Sequence, residues 1–545
     1  MVIILSASGV SSDLSSVFGK IPSGMVPING KPAIAWTIDA LLEQGFDEFI
    51  ITVGYQKDLL KDFLNTFYAH KKCRIGYREV NYKQPPGNAL IEISKEINSG
   101  TVLVVLGDTI VREKLRLIEN IVYTSSQFDD PSEWCLVKRD QDGYFTNAFD
   151  KKNINEDGLT ALIGIYFFKN VPLLKHVCRL FPSEKNYEIS SILDRYSYFE
   201  KIKCEESHPW FDIGHLPKYH IAKTSLLNIR EFNTMKYDNL RGTLVKQSKN
   251  KQKLYDEMQW YLKIPQELSF LVPRVISYDK DLSLELEYYG YPTLTELALY
   301  GNYHNNIWKG IITKLFDVLL LFKKYPGKVS LEEYKMMYLI KTNNRIHTLY
   351  LQDQKFKKFF SEKVVVNGKT LCSFNELENF IHVMINRLYQ NSEGQNCFLH
   401  GDFCFSNILY DLRSGIIRLI DPRGRWGKGL YGDIRYDIAK LRHSAVGMYD
   451  HIINNIFTLD QDDNHFTLYI PSTKEQKFIS HLIDIHIQEK WNLNEIQFIE
   501  SLLFLSMIPL HPENKKKQLA MFCIGIQKLN EVYENIGTQS SKEGR

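Results

Sequence analysis

The fold of the C-terminal half is decided by the stretch His400-Gly401-Asp402-Phe403-Cys404-Phe405-Ser406-Asn407. An apolar run from Ile408 to Tyr410 follows it, and a second apolar run ends at Asp421. The polar, glycine-containing turn between the two runs is typical of a β-hairpin. The hairpin folds Asp421 back toward Asp402 and Asn407, so the sequence predicts two carboxylates and one amide at a single point.

These side-chain types suit phosphoryl transfer from a nucleoside triphosphate. Asp402 is the candidate carboxylate that accepts the proton of the attacking hydroxyl. Asn407 and Asp421 offer the hard oxygen ligands that Mg²⁺ prefers. The alternative is a polar loop that only caps strands. The ordered set is more specific than an isolated His-Gly-Asp, and it favours the functional interpretation.

Over roughly residues 230–545 the chain resembles the aminoglycoside phosphotransferase and choline kinase superfamily, which has a protein-kinase-like α+β bilobal fold. The resemblance implies that Asp402 is the catalytic carboxylate and that Asn407 and Asp421 bind Mg²⁺. The segment from Gly432 to Ala439 is similar to the family's Gly-Asp-Pro-x-Tyr-Asp-Leu-Ala. In that segment Asp437 is expected to brace the catalytic loop.

The N-terminal lobe of such a kinase places a lysine on a strand and a glutamate on the next helix. Gly242 to Gln247 reads as a strand, which makes Lys246 the candidate phosphate ligand. Residues 251–262 have helical spacing, and Glu257 is the candidate partner of Lys246. A solvated Lys–Glu pair is the alternative. The segment before the strand holds a single glycine, so no glycine-rich loop is predicted.

Cations follow the predicted metal ligand Asp421. Arg423, Arg425 and Lys428 lie in a glycine-containing loop, and the two arginines are candidate substrate ligands because guanidinium forks suit carboxylates and phosphates. Solvated charge is the alternative interpretation. A choline or ethanolamine acceptor would instead need acidic and aromatic groups. The same region offers three aromatic side chains for that role, Trp426, Tyr431 and Tyr436.

The N-terminal half begins with the apolar run Val2 to Leu5, and small residues including Ser8 and Gly9 follow. A buried strand that opens into a small-residue loop brings backbone amides close to phosphates. A second buried run, Thr101 to Leu106, ends in Gly107-Asp108. Strand–helix alternation predicts an α/β, Rossmann-like, mostly parallel sheet with helices on both faces.

Residues 1–225 resemble the sugar-1-phosphate nucleotidyltransferase family. The resemblance rests on Val-Pro-Ile-Asn-Gly-Lys-Pro-Ala-Ile at 26–34, Leu-Gly-Asp at 106–108, Gly-Ile-Tyr-Phe-Phe at 164–168 and Trp-Phe-Asp-Ile-Gly at 210–214. It implies that Asp108 and Asp212 hold Mg²⁺ between the nucleotide and sugar phosphates. The remaining implied contacts are Gly87 and Asn88 with the nucleobase, and Lys151 and Glu188 with the sugar phosphate.

Two loop cations of that family are missing. Residues 5–12 stand where the family has Leu-Ala-Ala-Gly-x-Gly-x-Arg, and they lack the arginine and do not keep both glycines. The lysine of the family's Pro-Lys-x-Leu-x-Pro is Ser23 here. Lys20 is the candidate catalytic replacement. A nucleotidyltransferase fold that binds nucleotides with slow or no turnover therefore remains an alternative for this half.

Composition is typical of a globular protein. With 545 residues, the chain has room for two or three domains, and a net charge of +3 indicates no nucleic-acid partner. The eight cysteines form no Cys-x-x-Cys, so neither zinc nor disulfides are indicated. Neither a signal peptide nor a membrane-spanning run is visible, so a cytoplasmic location without membrane insertion is expected. A homo-oligomer remains open.

The sequence predicts a nucleotidyltransferase domain at 1–227 and a kinase domain at 228–545, with lobes at about 228–295 and 296–545, and a boundary within 228–238. The expected enzyme phosphorylates a sugar, polyol or amino alcohol with ATP. It then joins the phosphate to a nucleotide from CTP, UTP, GTP or dTTP, making a donor for surface polysaccharide. Three alternatives are a kinase with a nucleotide-sensing domain, a transferase with an unrelated kinase, and a non-enzymatic scaffold.

Overall fold

The computed structural model describes residues 1–545 except 99, 111–112, 129, 153, 155, 183–184, 208–209, 227–232, 280–282, 428 and 544–545, and it describes no side chains for 233–234 and 538–543. The chain divides into two compact units, Met1–Leu226 and Leu227–Arg545. Within the predicted boundary, residues 228–232 lie outside the described part of the chain. The predicted cation Lys428 lies outside it too.

The first unit contains twenty strands and helices in its described residues. In chain order they are β1 (Val2–Leu5), α1 (Ser12–Phe18), β2 (Pro27–Ile28), β3 (Lys31–Pro32), α2 (Ala33–Glu43), β4 (Glu48–Val53), α3 (Lys57–Phe67), β5 (Arg74–Glu79), α4 (Pro86–Ser94), β6 (Val102–Leu106), β7 (Thr109–Ile110), β8 (Ile121–Ser125), β9 (Cys135–Arg139), β10 (Phe145–Asp150), β11 (Thr160–Phe168), α5 (Val171–Arg179), α6 (Ile189–Ser197), β12 (Lys203–Glu206), β13 (Phe211–Asp212) and α7 (Leu216–Ser225).

A nine-stranded sheet forms the centre of this unit. Strands β6, β1, β4 and β5 are parallel neighbours, and β11 adds antiparallel to β6. The apolar runs of β1 and β6 are buried on both faces, as parallel strands require. Leu5 pairs with Leu106, so both strands end at the same sheet edge. The predicted α/β fold is confirmed, and this edge carries the loops after β1 and β6.

The second unit follows with twelve strands and twelve helices among its described residues. They are β14 (Asn233–Asp238), β15 (Thr243–Ser248), α8 (Lys251–Lys263), β16 (Val275–Asp279), β17 (Ser283–Glu287), α9 (Leu294–Tyr300), α10 (Asn305–Phe322), α11 (Leu331–Lys335), α12 (Lys341–Gln352), α13 (Gln354–Ser361), β18 (Val364–Val366), β19 (Lys369–Leu371), α14 (Glu378–Gln390), β20 (Asn396–Phe398), β21 (Ile408–Asp411), β22 (Ile416–Leu419), β23 (Tyr431–Asp433), α15 (Ile434–Ala445), α16 (Tyr449–Ile453), β24 (Thr458–Asp462), β25 (His465–Tyr469), α17 (Lys474–Lys490), α18 (Leu493–Met507) and α19 (Lys515–Glu543).

Strands β14, β15, β17 and β16 form an antiparallel sheet, and α8 follows β15 as the kinase resemblance implied. The predicted hairpin is present, with Ile408 opposite Leu419. A π-helical turn, Met336–Ile340, joins α11 to α12 in one continuous helix. A small sheet of β19, β18, β25 and β24 was not predicted. The kinase-like α+β architecture is confirmed.

Among the described residues one helical segment, Leu493–Leu510, is long and apolar enough to cross a membrane. This segment is mostly buried inside the unit, and it carries Glu495 and Glu500, whose carboxylates pair with Arg435 and Arg442. Burial against protein and internal ion pairs are typical of a core helix.

Candidate functional site

The catalytic-loop residues of the second unit converge at the end of β20. Asn407 donates its side-chain N–H to the backbone oxygen of Asp402 at 3.1 Å and to its carboxylate at 3.0 Å. The backbone N–H of Ile420 donates to the Asn407 carbonyl at 3.0 Å, so the hairpin holds the residue before Asp421 against Asn407. The structure therefore brings together the three residues that the sequence placed at one point.

The loop that carries Asp402 is fixed from behind. Asp437 accepts the backbone N–H groups of His400 and Gly401 at 2.9 and 3.1 Å. Burial lowers the pKa of His400 to about 4, so its ring is neutral. Its Nδ1 accepts the N–H of Asp402, and its Nε2 donates to the carbonyl of Ile420. These bonds link the catalytic loop to the strand that ends at Asp421.

Lys246 lies between two carboxylates. Its Nζ is 2.8 Å from an oxygen of Glu257 on α8 and 2.8 Å from Oδ1 of Asp421. Burial alone lowers the pKa of Lys246, but the adjacent Asp421 and Glu257 raise it above the usual value, so the ammonium stays charged. A charged lysine that touches the predicted metal ligand is suitably placed to meet nucleotide phosphates.

Asp402 has a partner that the sequence did not suggest. Lys440 on α15 lies with its Nζ 2.9 Å from Oδ1 of Asp402. Burial alone raises the pKa of Asp402, but the charge and hydrogen bond of Lys440 outweigh burial and hold the pKa below its usual value. Asp402 is therefore ionised at neutral pH, as a proton acceptor must be.

The two predicted substrate arginines differ in their surroundings. Arg423 donates to the hydroxyl of Tyr436 at 3.2 Å. Arg425 is exposed, and its Nε lies 3.6 Å from a carboxylate oxygen of Asp256 on α8. The backbone N–H of Arg423 also donates to the carbonyl of His400 in the catalytic loop, so Arg423 lies beside that loop, whereas Arg425 points toward α8. The substrate role of both stays a prediction.

In the first unit the two predicted metal aspartates are adjacent. Strand β13 pairs with β7 so that Asp212 stands opposite Thr109, and the N–H of Ile213 donates to the backbone oxygen of Asp108. Burial and the neighbouring Asp212 carboxylate raise the pKa of Asp108 to about 6. Two carboxylates this close together repel each other, and a cation between them would relieve that repulsion.

The loop after β1 lies at the same sheet edge. A Cβ on Gly107 would come within 2.6 Å of the Ser6 side chain, so glycine is required for this close approach. The hydroxyl of Ser8 lies 3.1 Å from that of Ser23, the residue that replaces the family lysine. Gly9 forms a β-bridge with Pro22, and the exposed Lys20 lies two residues before that bridge. The roles of Ser8, Gly9 and Lys20 stay predictions.

Lys218 on α7 was missed by the sequence reading. Its Nζ lies 3.5 Å from Oδ2 of Asp212 and 2.9 Å from Glu133, over the ring of Trp134. A lysine six residues after the Trp-Phe-Asp motif gave no signal of its own. The structure thus supplies a cation beside a predicted metal aspartate.

The remaining predicted ligands of the first unit were assigned to the nucleobase and the sugar phosphate. Asn88 uses its amide to bond the backbone of Lys185 and Tyr187. Gly87 is needed because a Cβ there would lie 2.3 Å from the Tyr187 carbonyl. Burial and Asp150 raise the pKa of Glu188, while the nearby charge of Lys151 acts in the opposite direction. The nucleobase and sugar-phosphate roles stay predictions. The backbone bonds of the Asn88 amide compete with the predicted nucleobase contact.

Both sites have ligand sets that suit Mg²⁺. Each offers two hard oxygen ligands, Asp108 with Asp212 and Asn407 with Asp421, and Mg²⁺ keeps several waters of its own. Asn407 directs its amide N–H groups to Asp402, which leaves its amide oxygen the atom suited to a cation. No group of three or more His, Cys, Asp or Glu side chains in the described part of the chain forms a metal cluster.

Comparison with known proteins agrees with both resemblances. Residues 2–229 match the family described as Nucleotidyl transferase, and residues 238–451 match the Phosphotransferase enzyme family. The chain therefore combines a nucleotidyl transferase family domain with a phosphotransferase family domain. This confirms the predicted enzyme class.

Three relatives illustrate the similarity. The Bifunctional protein GlmU of Caldanaerobacter subterraneus is 27% identical over 29% of this chain and 35% of its own length. The UTP--glucose-1-phosphate uridylyltransferase AglF of Haloferax volcanii is 24% identical over 36% of this chain and 82% of its own. The D-glycero-alpha-D-manno-heptose 1-phosphate guanylyltransferase of Campylobacter jejuni is 26% identical over 39% and 95%. The chain thus spans about a third of that GlmU.

Proposed function

We propose that the protein is a bifunctional enzyme that phosphorylates a small hydroxyl compound and then activates the phosphorylated product with a nucleotide. The observation that carries the kinase half is the pair of contacts Lys246–Asp421 and Lys440–Asp402. They place a charged lysine on the predicted metal ligand and keep the predicted base ionised. The adjacent Asp108 and Asp212 support the nucleotidyl half.

In the first reaction the acceptor hydroxyl oxygen bonds to the γ-phosphorus of ATP, the bond from that phosphorus to ADP breaks, and Asp402 takes the hydroxyl proton. In the second, an oxygen of the new phosphate bonds to the α-phosphorus of CTP, UTP, GTP or dTTP, and pyrophosphate leaves. Bound Mg²⁺ would neutralise phosphate charge in both sites. Lys246 orients the ATP phosphates, and Lys218 stands beside the second centre.

The relatives named above act on sugar phosphates with UTP or in guanylyl transfer, according to their names. We therefore expect a nucleoside diphosphate-linked sugar, polyol or amino alcohol as the product. The enzyme would make it in the cytoplasm, as a donor for surface polysaccharide synthesis. A second candidate is a small-molecule kinase whose first unit is catalytically weak or inactive. The serines at positions 12 and 23, which stand where the family has its loop arginine and lysine, favour it.

The test uses the full chain with Mg²⁺, ATP, a panel of alcohols and each nucleoside triphosphate, with ADP and pyrophosphate measured separately. Asp402→Asn should abolish ADP release and leave pyrophosphate release from a supplied phosphomonoester. Asp108→Asn should do the reverse. Matched controls are Asp317→Asn and Asp62→Asn, because both side chains are exposed.

ADP without pyrophosphate would favour the second candidate. The two-site assignment would be wrong if either site variant, while still folded, silenced both activities. If neither product formed across the panel, the scaffold interpretation would replace the enzyme.

A further inference from the structure

Four cationic side chains gather around the hydroxyl of Tyr436 and the carboxylate of Asp402. Lys341 and Arg423 each donate to the Tyr436 oxygen at 3.2 Å. Lys440 contacts Asp402 at 2.9 Å. Arg345 lies one helical turn after Lys341 on α12, and its charge acts on Arg423 and Tyr436. We call Lys341, Arg345, Arg423 and Lys440 the Tyr436 cation cluster.

The protein neutralises the charge of the cluster only in part. Within the described part of the chain, Lys440 has an ion pair, with Asp402, whereas Lys341, Arg345 and Arg423 have none. Burial and the three other cations lower the pKa of Lys341 well below its usual value. Like charges four residues apart on a helix also destabilise it. The arrangement therefore lowers the free energy of unfolding, and a bound anion would raise it again.

The helix itself is distorted where the cluster begins. The π-helical turn Met336–Ile340 directly precedes Lys341, and Tyr338 within it donates to Asp433. Single π-turns inside α-helices are rare and are found frequently at functional sites. The extra residue changes the rotation of α12 relative to α11, so it determines which face Lys341 and Arg345 share.

Of the three aromatic candidates Trp426, Tyr431 and Tyr436, only Tyr431 is exposed, and a single exposed ring does not form a cage for a quaternary ammonium. Trp426 and Tyr436 are 1% and 2% exposed, and they pack edge-to-face against each other at 4.7 Å between ring centres. Tyr338, in the π-helical turn, also packs edge-to-face against Trp426. A cationic acceptor would find buried ring faces and repelling charges here, which disfavours choline and ethanolamine.

We propose that the phosphoryl acceptor is an alcohol that also carries an anionic group, a carboxylate or a phosphate, and that Lys341, Arg345 and Arg423 bind this group beside Asp402. The inference rests on the proposed kinase function and names the substrate class of that site. Lys246, Asn407 and Asp421 remain for the ATP phosphates. The cluster then fixes the acceptor so that its hydroxyl meets Asp402.

The experiment has two arms on the full chain. In the first, ADP release is measured with glycerol, D-glycerate, glycerol 3-phosphate and choline at equal concentrations. In the second, calorimetry measures binding of malonate and of inorganic phosphate to protein saturated with Mg²⁺ and a non-hydrolysable ATP analogue. The variants are Lys341→Met, Arg423→Gln and the charge-preserving Lys341→Arg, with the exposed Lys335→Met as the matched control.

We expect D-glycerate or glycerol 3-phosphate to support ADP release at least about tenfold better than glycerol or choline, because a charge-assisted contact contributes that much. The better of the two identifies carboxylate or phosphate. Lys341→Met and Arg423→Gln should raise the acceptor KM and weaken anion binding about tenfold, with the ATP KM unchanged. Lys341→Arg should restore part of the affinity. Without ligand, Lys341→Met should be at least as stable as the natural protein, whereas a purely structural lysine would make it less stable.

The inference is overturned if glycerol or choline is the best acceptor while ADP release is robust, and the kinase function then stands. It is also overturned if neither anion binds, if Lys341→Met binds both unchanged, or if the variants raise the KM of ATP, which would assign the cluster to the nucleotide. Anion binding without ADP release from any alcohol would refute the kinase function, and the acceptor assignment with it.

Discussion

Replacing Lys246 with methionine should destabilise the second unit as well as inactivate it. Lys246, Glu257 and Asp421 are 6%, 3% and 29% exposed, and both carboxylates lie 2.8 Å from the ammonium. Removing one partner of a buried ion pair typically costs about 3–5 kcal/mol, since the remaining charge is left unpaired. Water reaches Asp421, so we expect the lower end, about 3 kcal/mol.

The measurement is a urea titration of the full chain with pulsed hydrogen exchange. Peptides from α8 and α15 report the second unit, and peptides from β1 and β6 report the first. Lys263→Met, on the exposed side of α8, is the matched control. In the double variant Lys246→Met/Glu257→Gln the buried carboxylate is neutral, so at least half of the lost free energy of unfolding should return. The reasoning fails if Lys246→Met unfolds like the natural protein, or if the double variant is the less stable of the two.

Two further predictions concern single contacts. Lys440→Met should move the acid limb of kcat/KM for ADP release to higher pH. Lys440 outweighs burial in holding the pKa of Asp402 low, so its loss raises that pKa and leaves more Asp402 protonated in acid; an unmoved limb in the pH–rate profile would contradict this. Gly87→Ala should destabilise the first unit by about 1–3 kcal/mol in urea titration, because its Cβ would overlap the Tyr187 carbonyl, whereas the open Gly100→Ala should not.

The sequence was sufficient where a residue's position along a strand or hairpin determines where it points. The kinase resemblance implied the pairing of Lys246 with Glu257, and the sequence patterns of a strand and the helix after it located both residues. Asp421 followed from a two-stranded hairpin whose register the turn fixes. The position of Asp108 just after a buried strand was evident from the sequence, and the nucleotidyltransferase resemblance implied its role.

The sequence was insufficient where the rotation of a helix about its axis determines which side chains face the site. Lys341 and Arg345 lie on a helix whose phase is set by the π-turn before it, and helical periodicity does not reveal such a turn. Trp426 and Tyr436 were candidates for a ligand-facing aromatic box, yet both pack into the interior. Asn88 carried a family motif, and only the fold shows that backbone groups take up its amide.

The two units share one electrostatic feature. In each, a lysine on a helix that follows a predicted site aspartate contacts that aspartate: Lys218 beside the metal ligand Asp212, and Lys440 beside the catalytic Asp402. A helix lysine at the metal aspartate places positive charge near the phosphates much as a loop lysine does. The missing loop cations are therefore weak evidence that the first unit is inactive.

Lys218 decides between an active first unit and one that only binds nucleotide. Its Nζ is 3.5 Å from Asp212, and its side chain is 17% exposed, so its charge is only partly screened. If Lys218 stabilises the charge that develops on the leaving pyrophosphate, Lys218→Met should slow pyrophosphate release by about tenfold to hundredfold, while nucleotide affinity changes little. Lys218→Arg should retain part of the rate, and the exposed Lys72→Met should retain all of it. A binding-only unit predicts the opposite pattern, no pyrophosphate from the natural protein and a change confined to affinity.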